Sequence, residues 1–159
     1  MKINIGCGNE KVEGYTGVDL YTQCDRKDDA RTLGTFEDNS VEEIRTYHML
    51  EHMKDRDVPL VIASMFRVLK HGGTLILEVP NLIWVLQNFL DTPDEDRWGF
   101  KLQTVFGLQT HDGEYHKTGF SKDRIHRMLK EAGFTNITVT PVMSKYYQQG
   151  VLDVTAMKT

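Results

Sequence analysis

The chain has 159 residues, which is the length of one domain and too short for two full hydrophobic cores. Hydrophobic residues make up 40% of it and charged residues 26%, a balance that predicts a folded globule and excludes a disordered chain. The net charge of -4 argues against broad binding of nucleic acid, so we expect no nucleic-acid partner. A single domain over residues 1–159 is expected.

The sequence shows no sign of secretion or membrane insertion. No apolar run approaches the roughly 18 residues of a membrane span. Residues 1–5 lead directly into a strand-like segment, which leaves no room for a signal peptide. The two cysteines, Cys7 and Cys24, form no CxxC pair. We therefore expect a reducing, cytoplasmic location and no membrane partner.

Short apolar segments predict four strands in the first third of the chain. They cover Lys2–Ile5, Tyr15–Leu20, Cys24–Asp28 and Val41–Tyr47. An apolar stripe at i, i+3, i+4, i+7, i+8 and i+11 then predicts a helix that Gly72-Gly73 stops. The stripe consists of Val58, Val61, Ile62, Met65, Phe66 and Leu69.

The second half of the chain predicts one more strand, a second helix and a closing hairpin. Thr74–Val79 is nearly all apolar, as expected of a strand that is covered on both faces. Residues 82–119 are less regular, and Ser121–Ala132 form an amphipathic helix. Asn136–Val142 and Val151–Met157 follow as two strands in succession, which predicts an antiparallel hairpin. The alternation of strands and helices indicates an α/β fold with a doubly wound, mostly parallel sheet.

The first predicted strand ends in Gly6-Cys7-Gly8, and the second ends at Asp19. In open α/β sheets, ligands bind beyond the carboxyl ends of the strands, and glycine there lets the backbone approach the ligand. A carboxylate after the second strand can accept hydrogen bonds from both hydroxyls of a ribose. The dinucleotide fingerprint is absent, because Lys11 stands at the third glycine position. Taken alone, the GxG sequence also fits a tight turn.

Seven short segments occur in a fixed order along the chain. They are Ile3-Asn4-Ile5-Gly6-Cys7-Gly8, Gly17-Val18-Asp19-Leu20, Asp29-Ala30-Arg31, Asp38-Asn39-Ser40-Val41, His48-Met49-Leu50-Glu51-His52, Val68-Leu69-Lys70-His71-Gly72-Gly73 and Glu78-Val79-Pro80-Asn81. Together they resemble the class I S-adenosylmethionine-dependent methyltransferases, most closely the small, methyltransferase type 11-like members predicted in bacteria and phages. The resemblance implies a Rossmann-like fold, S-adenosylmethionine as cofactor and S-adenosylhomocysteine as product.

The resemblance also implies a set of cofactor-binding residues. They are Gly6, Cys7, Gly8, Asp19, Leu20, Asp29, Ala30, Tyr47 and His48. The glycine turn would lie against the methionine part and the ribose, whose hydroxyls the acid after the second strand would hold. Leu20 would pack on the adenine, and Asp29 and Ala30 would contact its polar edge. Tyr47 and His48 would line the methionine end.

The chain departs from the family's usual form in its short connections. Only eight residues separate Gly8 from Gly17, and the link from Leu20 to Asp29 is also too short for a helix. One face of the sheet therefore lacks helices. Because an exposed apolar face is unfavourable by about 25 cal/mol per Å², we expect residues 82–119, or a second subunit in a homodimer, to cover it.

Residues 48–52 match the HxxEH pattern of inverted zinc peptidases. The residues before His48 read as a strand, so His48 and His52 are not expected to share a helix face. A zinc hydrolase is therefore a remote alternative, and we expect no metal site. Glu51 and His52 are expected to fix the loop, whereas His48 keeps a role at the cofactor.

A second polar cluster, residues 111–116, surrounds an Asp-Gly turn. It lies in the segment where such a fold has room to build a substrate pocket. A histidine with a pKa near neutrality suits removal of a proton from a hydroxyl or amine, so His116 is the first candidate catalytic residue and His48 the second. A metal loop and an exposed turn are the alternatives for this cluster.

The sequence thus predicts transfer of a methyl group to an oxygen, nitrogen or carbon atom of a small molecule, such as a sugar or another metabolite. The small-molecule partner follows from the acidic composition and the lack of an added nucleic-acid or peptide module. A regulatory or partner subunit that binds the cofactor without catalysis is the alternative function.

Overall fold

The computed structural model describes all 159 residues, and seven strands form one sheet in the order β3-β2-β1-β4-β5-β7-β6. The strands are β1 (Lys2–Ile5), β2 (Thr16–Asp19), β3 (Arg26–Lys27), β4 (Val41–Tyr47), β5 (Leu69–Pro80), β6 (Thr135–Met143) and β7 (Gly150–Met157). The first five run parallel, whereas β7 is antiparallel to both β5 and β6. The predicted fold, a mostly parallel α/β sheet with a closing antiparallel hairpin, is confirmed.

A row of apolar side chains crosses the centre of the sheet. Ile3 pairs with Ile44, Ile44 with Leu75, and Leu75 with Ala156. All four side chains are fully buried. Because successive side chains of a strand alternate between the two faces, this register puts the apolar residues of four strands on one side of the sheet.

The helices lie on that apolar side or at the carboxyl ends of the strands. They are α1 (Val58–Val68), α2 (Leu82–Asp91), α3 (Asp94–Asp96), α4 (Leu102–Phe106) and α5 (Lys122–Glu131). Helices α1 and α5 pack against the apolar row and complete a single hydrophobic core. The hydroxyl of Ser121 accepts a hydrogen bond from the N–H of Arg124, which explains why α5 begins where the sequence predicts.

Helix α1 ends earlier than the sequence predicts. It stops at Val68, and Leu69 turns into extended backbone to pair with Val41 in the sheet. Gly72 therefore lies within β5 rather than at a helix end. The ammonium group of Lys158 donates hydrogen bonds to the carbonyl oxygens of the last turn of α1, which satisfies acceptors that the helix leaves open.

The opposite face of the sheet is polar. Glu43 and Arg45 of β4, Glu78 of β5 and Asp153 of β7 alternate with core residues and lie on this face. Asp153 is exposed to solvent. The face that lacks helices thus carries charged side chains where an apolar surface was expected, and its cover by residues 82–119 or a second subunit stays a prediction.

Residues 82–119 lie at the carboxyl ends of the central strands. The N–H of Leu82 donates a hydrogen bond to the carbonyl of Phe120, and Trp84 packs so closely on Gly150 that no side chain fits there. Helix α2 thereby contacts the beginning of β7. None of the helices has the length and apolar character needed to span a membrane.

Candidate functional site

The glycine turn after β1 has the backbone conformation that requires glycine. Gly6 and Gly8 have φ angles of 68° and 53°. A Cβ on Gly6 would lie 2.4 Å from Cγ of Met49, whereas a Cβ on Gly8 would meet no atom within 4 Å. The side chain of Met49 therefore packs against the turn at Gly6, whereas the turn is open at Gly8.

Asp19 holds the glycine turn in place. Its Oδ2 accepts a hydrogen bond from the N–H of Gly8 at 3.0 Å, and its Oδ1 accepts from the N–H groups of Tyr21 and Thr22 at 2.8 and 3.0 Å. Burial alone would raise the pKa of Asp19, but these backbone donors outweigh it and hold the pKa below its usual value. An ionised carboxylate has about four acceptor positions, so one stays available for an external donor.

The residues predicted at the adenine edge lie in the loops after β2 and β3. Leu20 and Ala30 are half-buried, and the Asp29 carboxylate is paired with the guanidinium of Arg31. The carbonyl of Ala30 accepts a hydrogen bond from Ser64 at 2.5 Å, but the Ala30 N–H has no partner in the chain. This loop therefore offers a free donor and an apolar surface.

A cavity of about 340 Å³, the glycine-turn cavity, opens beside the turn. It is lined by Gly6, Cys7, Gly8, Asn9, Glu10, Arg45, Tyr47, His48, Tyr146 and Tyr147. The structure thus brings five of the nine predicted cofactor residues together in this lining. The other four, Asp19, Leu20, Asp29 and Ala30, lie outside it. Burial raises the pKa of the Cys7 thiol to about 11, so this residue contributes backbone and not a thiolate.

Glu10 and Arg45 line this cavity and form an ion pair, and the sequence analysis identified neither of them. Arg45 lies 3.1 Å from a carboxylate oxygen of Glu10 and donates a hydrogen bond to Oδ1 of Asn4 at 2.9 Å. Its guanidinium also stacks on the ring of Tyr47, 4.0 Å from the centroid. The sequence signal was the charged Arg45 alternating with apolar Ile44 at the end of a strand.

His48 lies between two carboxylates at the end of β4. Its Nε2 is 2.7 Å from Oε1 of Glu78, and its Nδ1 is 3.2 Å from Oε1 of Glu51. Burial would lower the pKa of His48, but hydrogen bonds to the two carboxylates outweigh it and raise the pKa to about 9. His48 is therefore a cation near neutral pH, with no free nitrogen to accept a proton.

A second cavity of about 240 Å³, the histidine cavity, adjoins the first. It is lined by His48, Glu51, His52, Phe100, Gln103, Thr104, Gly107, Leu108, Glu114, His116, Tyr147 and Gln149. His48 and Tyr147 belong to both cavities, and the two rings contact edge to face with centroids 4.6 Å apart. The segment 82–119 therefore forms one wall of a space that opens beside the glycine turn.

His116 and His52 are neighbours in the histidine cavity. Their ring centroids are 5.1 Å apart, and Glu51 lies beside both. Burial lowers the pKa of His116, so its imidazole is neutral at pH 7. The HxxEH residues do not assemble as in a zinc peptidase, because His48 precedes the turn Leu50–His52 and its nitrogens face carboxylates.

A family model described as a methyltransferase domain matches residues 5–139 of the chain. The chain belongs to this methyltransferase family. The resemblance to class I methyltransferases that the sequence motifs indicate is thereby confirmed. No curated protein matches this chain in sequence.

Solved structures support the same assignment of the methyltransferase fold. An S-adenosylmethionine-dependent methyltransferase from Methanosarcina mazei is 17% identical, with a TM-score of 0.64 over 98% of this chain and 91% of that chain. One from Archaeoglobus fulgidus is 15% identical, with a TM-score of 0.65 over 99% of this chain and 85% of that chain. Phosphoethanolamine N-methyltransferase 2 from Haemonchus contortus, solved with S-adenosyl-L-methionine, is 16% identical, with a TM-score of 0.64 over 99% of this chain and 48% of that chain.

Proposed function

We propose that this methyltransferase binds S-adenosylmethionine across the carboxyl ends of β1, β2 and β4 and methylates a small molecule held in the histidine cavity. The observation that carries the proposal is the junction of the two cavities. One cavity is floored by the glycine turn, the other is lined by neutral His116, and they meet at His48 and Tyr147. A methyl donor in the first would face an acceptor in the second.

The nucleoside half of the cofactor fits the residues that the family motifs mark. The open side of Gly8 leaves room for a ribose, and the remaining acceptor position of Asp19 suits a ribose hydroxyl. The unpartnered N–H of Ala30 suits a ring nitrogen of adenine, and Leu20 offers apolar contact. The pairing of Asp29 with Arg31 means that an adenine amino group would share this carboxylate.

The amino-acid tail of the cofactor is a zwitterion, and the glycine-turn cavity has a matching pair of charges. Glu10 suits the tail's ammonium group, and Arg45 suits its carboxylate. Each already has the other as partner, so the tail would insert between charges that are arranged in advance. This pairing gives a reason for the arginine at position 45 of β4, on the polar face of the sheet.

The protein's own contribution to methyl transfer is positioning and proton removal. The bound cofactor supplies a methyl group on a sulfonium, which a lone pair of the acceptor displaces in line to leave S-adenosylhomocysteine. Tyr147 and His48 line both cavities and limit where donor and acceptor can meet. The neutral imidazole of His116 can accept the proton of a hydroxyl or amine acceptor, whereas the cationic His48 cannot.

Calorimetric titration with S-adenosylhomocysteine tests the binding half of the proposal. We expect one molecule to bind per chain, and absence of binding would contradict the proposal. Glu10→Gln should weaken binding of S-adenosylhomocysteine about fivefold, because a partly exposed charged hydrogen bond contributes about 1 kcal/mol. The same variant should bind 5′-methylthioadenosine, which lacks the amino-acid tail, as the wild type does.

Glu13→Gln is the matched control, because Glu13 is an exposed acid of the same loop outside the cavity. Its affinity for both ligands should equal that of the wild type. Transfer of labelled methyl from S-adenosylmethionine to a pool of small metabolites tests the catalytic half. Tight cofactor binding without transfer to any acceptor would favour the alternative, a regulatory subunit.

A further inference from the structure

Three side chains of metal-ligand type meet in the wall of the histidine cavity. Glu51 and His52 belong to the short turn after β4, and His116 comes from the segment before α5. One potential ligand atom of each lies within 4.8 Å of those of the other two. A tetrahedral zinc site with bonds of about 2.1 Å needs separations of about 3.4 Å, so the three ligand atoms would have to move closer together by at most about 1.4 Å when an ion binds.

The carboxylate of Glu51 has an unfilled acceptor position in this cluster. Glu51 is only 1% exposed, and its Oε2 has no hydrogen-bond partner, although its Oε1 contacts His48. A buried polar atom without a partner is unfavourable by about 1–3 kcal/mol, and more for a charged group. A cation held in the cavity would satisfy this oxygen, so the orphaned atom is an independent sign of a ligand.

His52 is oriented as a metal-binding histidine commonly is. Its Nδ1 donates a hydrogen bond to the backbone carbonyl of Tyr115 at 3.1 Å, and its Nε2 is 4.0 Å from Oε1 of Glu51. Ligating histidines generally donate their second ring N–H to a carbonyl or carboxylate, which fixes the ring and leaves the other nitrogen for the metal. The Tyr115 carbonyl provides that support.

We propose that Glu51, His52 and His116 bind one divalent transition-metal ion of the zinc or cobalt class. Two imidazoles and one carboxylate form a ligand set that suits these ions. The site differs from an HxxEH zinc site because His116 takes the place of His48, and it departs from the expectation of no metal site. Three protein ligands leave at least one coordination position open towards the cavity.

The position of the site gives the ion a role that rests on the proposed methyl transfer. The cavity that holds the three ligands adjoins the glycine-turn cavity at His48 and Tyr147. A hydroxyl of the acceptor that binds the open position would lose its proton to water. Its oxygen lone pair would then form the bond to the methyl carbon as the carbon–sulfur bond of the cofactor breaks and S-adenosylhomocysteine leaves. The substrate class inferred here is therefore an oxygen acceptor. With the ion bound, His116 is a ligand, and the role of base that the proposed function gives to it in the metal-free protein passes to water.

Titration of the EDTA-treated and dialysed protein with Zn²⁺ and with Co²⁺ tests the site. We expect one equivalent to bind and the Co²⁺ form to show the visible absorption bands of a four- or five-coordinate ion. His52→Ala and His116→Ala should each weaken Zn²⁺ binding at least about tenfold, since even the loss of a supporting partner commonly has that effect. His126→Ala is the control, because His126 is exposed on α5 and is not part of the cavity lining. This variant should bind Zn²⁺ as the wild type does.

Absence of stoichiometric binding, or binding that both substitutions leave unchanged, would overturn the proposal. Glu51→Gln keeps the shape of the buried side chain and should also lose affinity, with near-ultraviolet circular dichroism to check its fold. Titration with S-adenosylhomocysteine in the presence of EDTA separates the two proposals. Cofactor binding without metal binding would refute only the metal site, whereas metal binding without cofactor binding would refute only the methyltransferase function.

Discussion

The carboxylate of Asp19 accepts a hydrogen bond from the backbone N–H of Gly8 at 3.0 Å and so joins the end of β2 to the glycine turn after β1. One side chain therefore shapes the turn and, in the proposed function, offers the acceptor for the ribose. The sequence motif marks Asp19 only for the second role. Its removal is expected to affect both the stability of the fold and the binding of a nucleoside.

We predict that Asp19→Asn weakens S-adenosylhomocysteine binding at least about tenfold and lowers the free energy of unfolding by about 1–2 kcal/mol. The amide replaces one acceptor oxygen by a donor that faces backbone N–H groups. Calorimetry and urea denaturation measure the two effects. Asp153→Asn, on the polar face of the sheet, should change neither, and an Asp19→Asn protein with wild-type affinity would show that Asp19 does not hold the nucleoside.

The two glycines of the turn should respond differently to alanine. Gly6→Ala is expected to lower the free energy of unfolding by about 2–4 kcal/mol, because the left-handed backbone and a clash with Met49 act together. Gly8→Ala meets no atom and should lower it by only about 1–2 kcal/mol. Thermal denaturation compares them. An equal loss in both variants would contradict the packing described at Met49.

The stability of the metal-free protein should fall as the pH rises from about 6.5 to 9. The pKa of His48 is raised from 6.5 to about 9, so the folded state keeps a proton that the unfolded state releases. The stabilisation is complete below pH 6.5 and is lost as the pH passes 9, with a total change of up to about 3 kcal/mol. Urea denaturation at several pH values in EDTA measures it.

His48→Asn should flatten this pH dependence, because asparagine tolerates the left-handed backbone at this position but does not titrate. His126→Asn, an exposed position, should retain the slope of the wild type. The Cys7 thiol, with its pKa of about 11, affects stability only above the measured range. A flat profile in the wild type would mean that the two carboxylates do not hold the proton on His48.

Lys158 is predicted to stabilise the end of α1. Its Nζ donates hydrogen bonds to the carbonyls of Phe66 and Arg67 at 2.7 and 3.2 Å and to Oδ1 of Asn39 at 2.8 Å. Lys158→Met keeps the aliphatic stem but removes the donor to the Phe66 carbonyl and to Oδ1 of Asn39, whereas the Arg67 carbonyl still accepts from the N–H of Asn39. The variant should lower the free energy of unfolding by about 2–3 kcal/mol. Lys130→Met, at an exposed site on α5, should lower it by less than about 0.5 kcal/mol in the same denaturation experiment.

Local sequence patterns predict most of this sheet. The bounds of β4 are correct because Val41–Tyr47 directly follows the polar, turn-like residues 37–40. The beginning of β5 is not predicted, because Leu69 belongs to the apolar stripe of α1 and leaves the helix only to pair with Val41. That pairing is a contact between distant parts of the chain, which no local pattern reports.

The candidate site shows the same division between local and distant contacts. Gly6 and Asp19 follow strand ends and carry a family motif, so the sequence marks them. Glu10, Arg45 and Tyr147 reach the glycine-turn cavity only through folding, and none of them stands in a motif. The polar character of the sheet face without helices was not predicted either, because the expectation that it needs cover followed from the short connections alone and not from the charges that alternate with apolar residues along β4.

The one-sided core has a thermodynamic consequence for the whole chain. In a sheet with helices on both faces, unfolding exposes two apolar layers to water, whereas here one of the two faces carries charged side chains. Exposure of apolar surface dominates the heat-capacity increment of unfolding, and total newly exposed surface determines the denaturant m-value. Both quantities should therefore be smaller per residue than in a doubly covered domain of equal length, and the curve of stability against temperature should be correspondingly flatter.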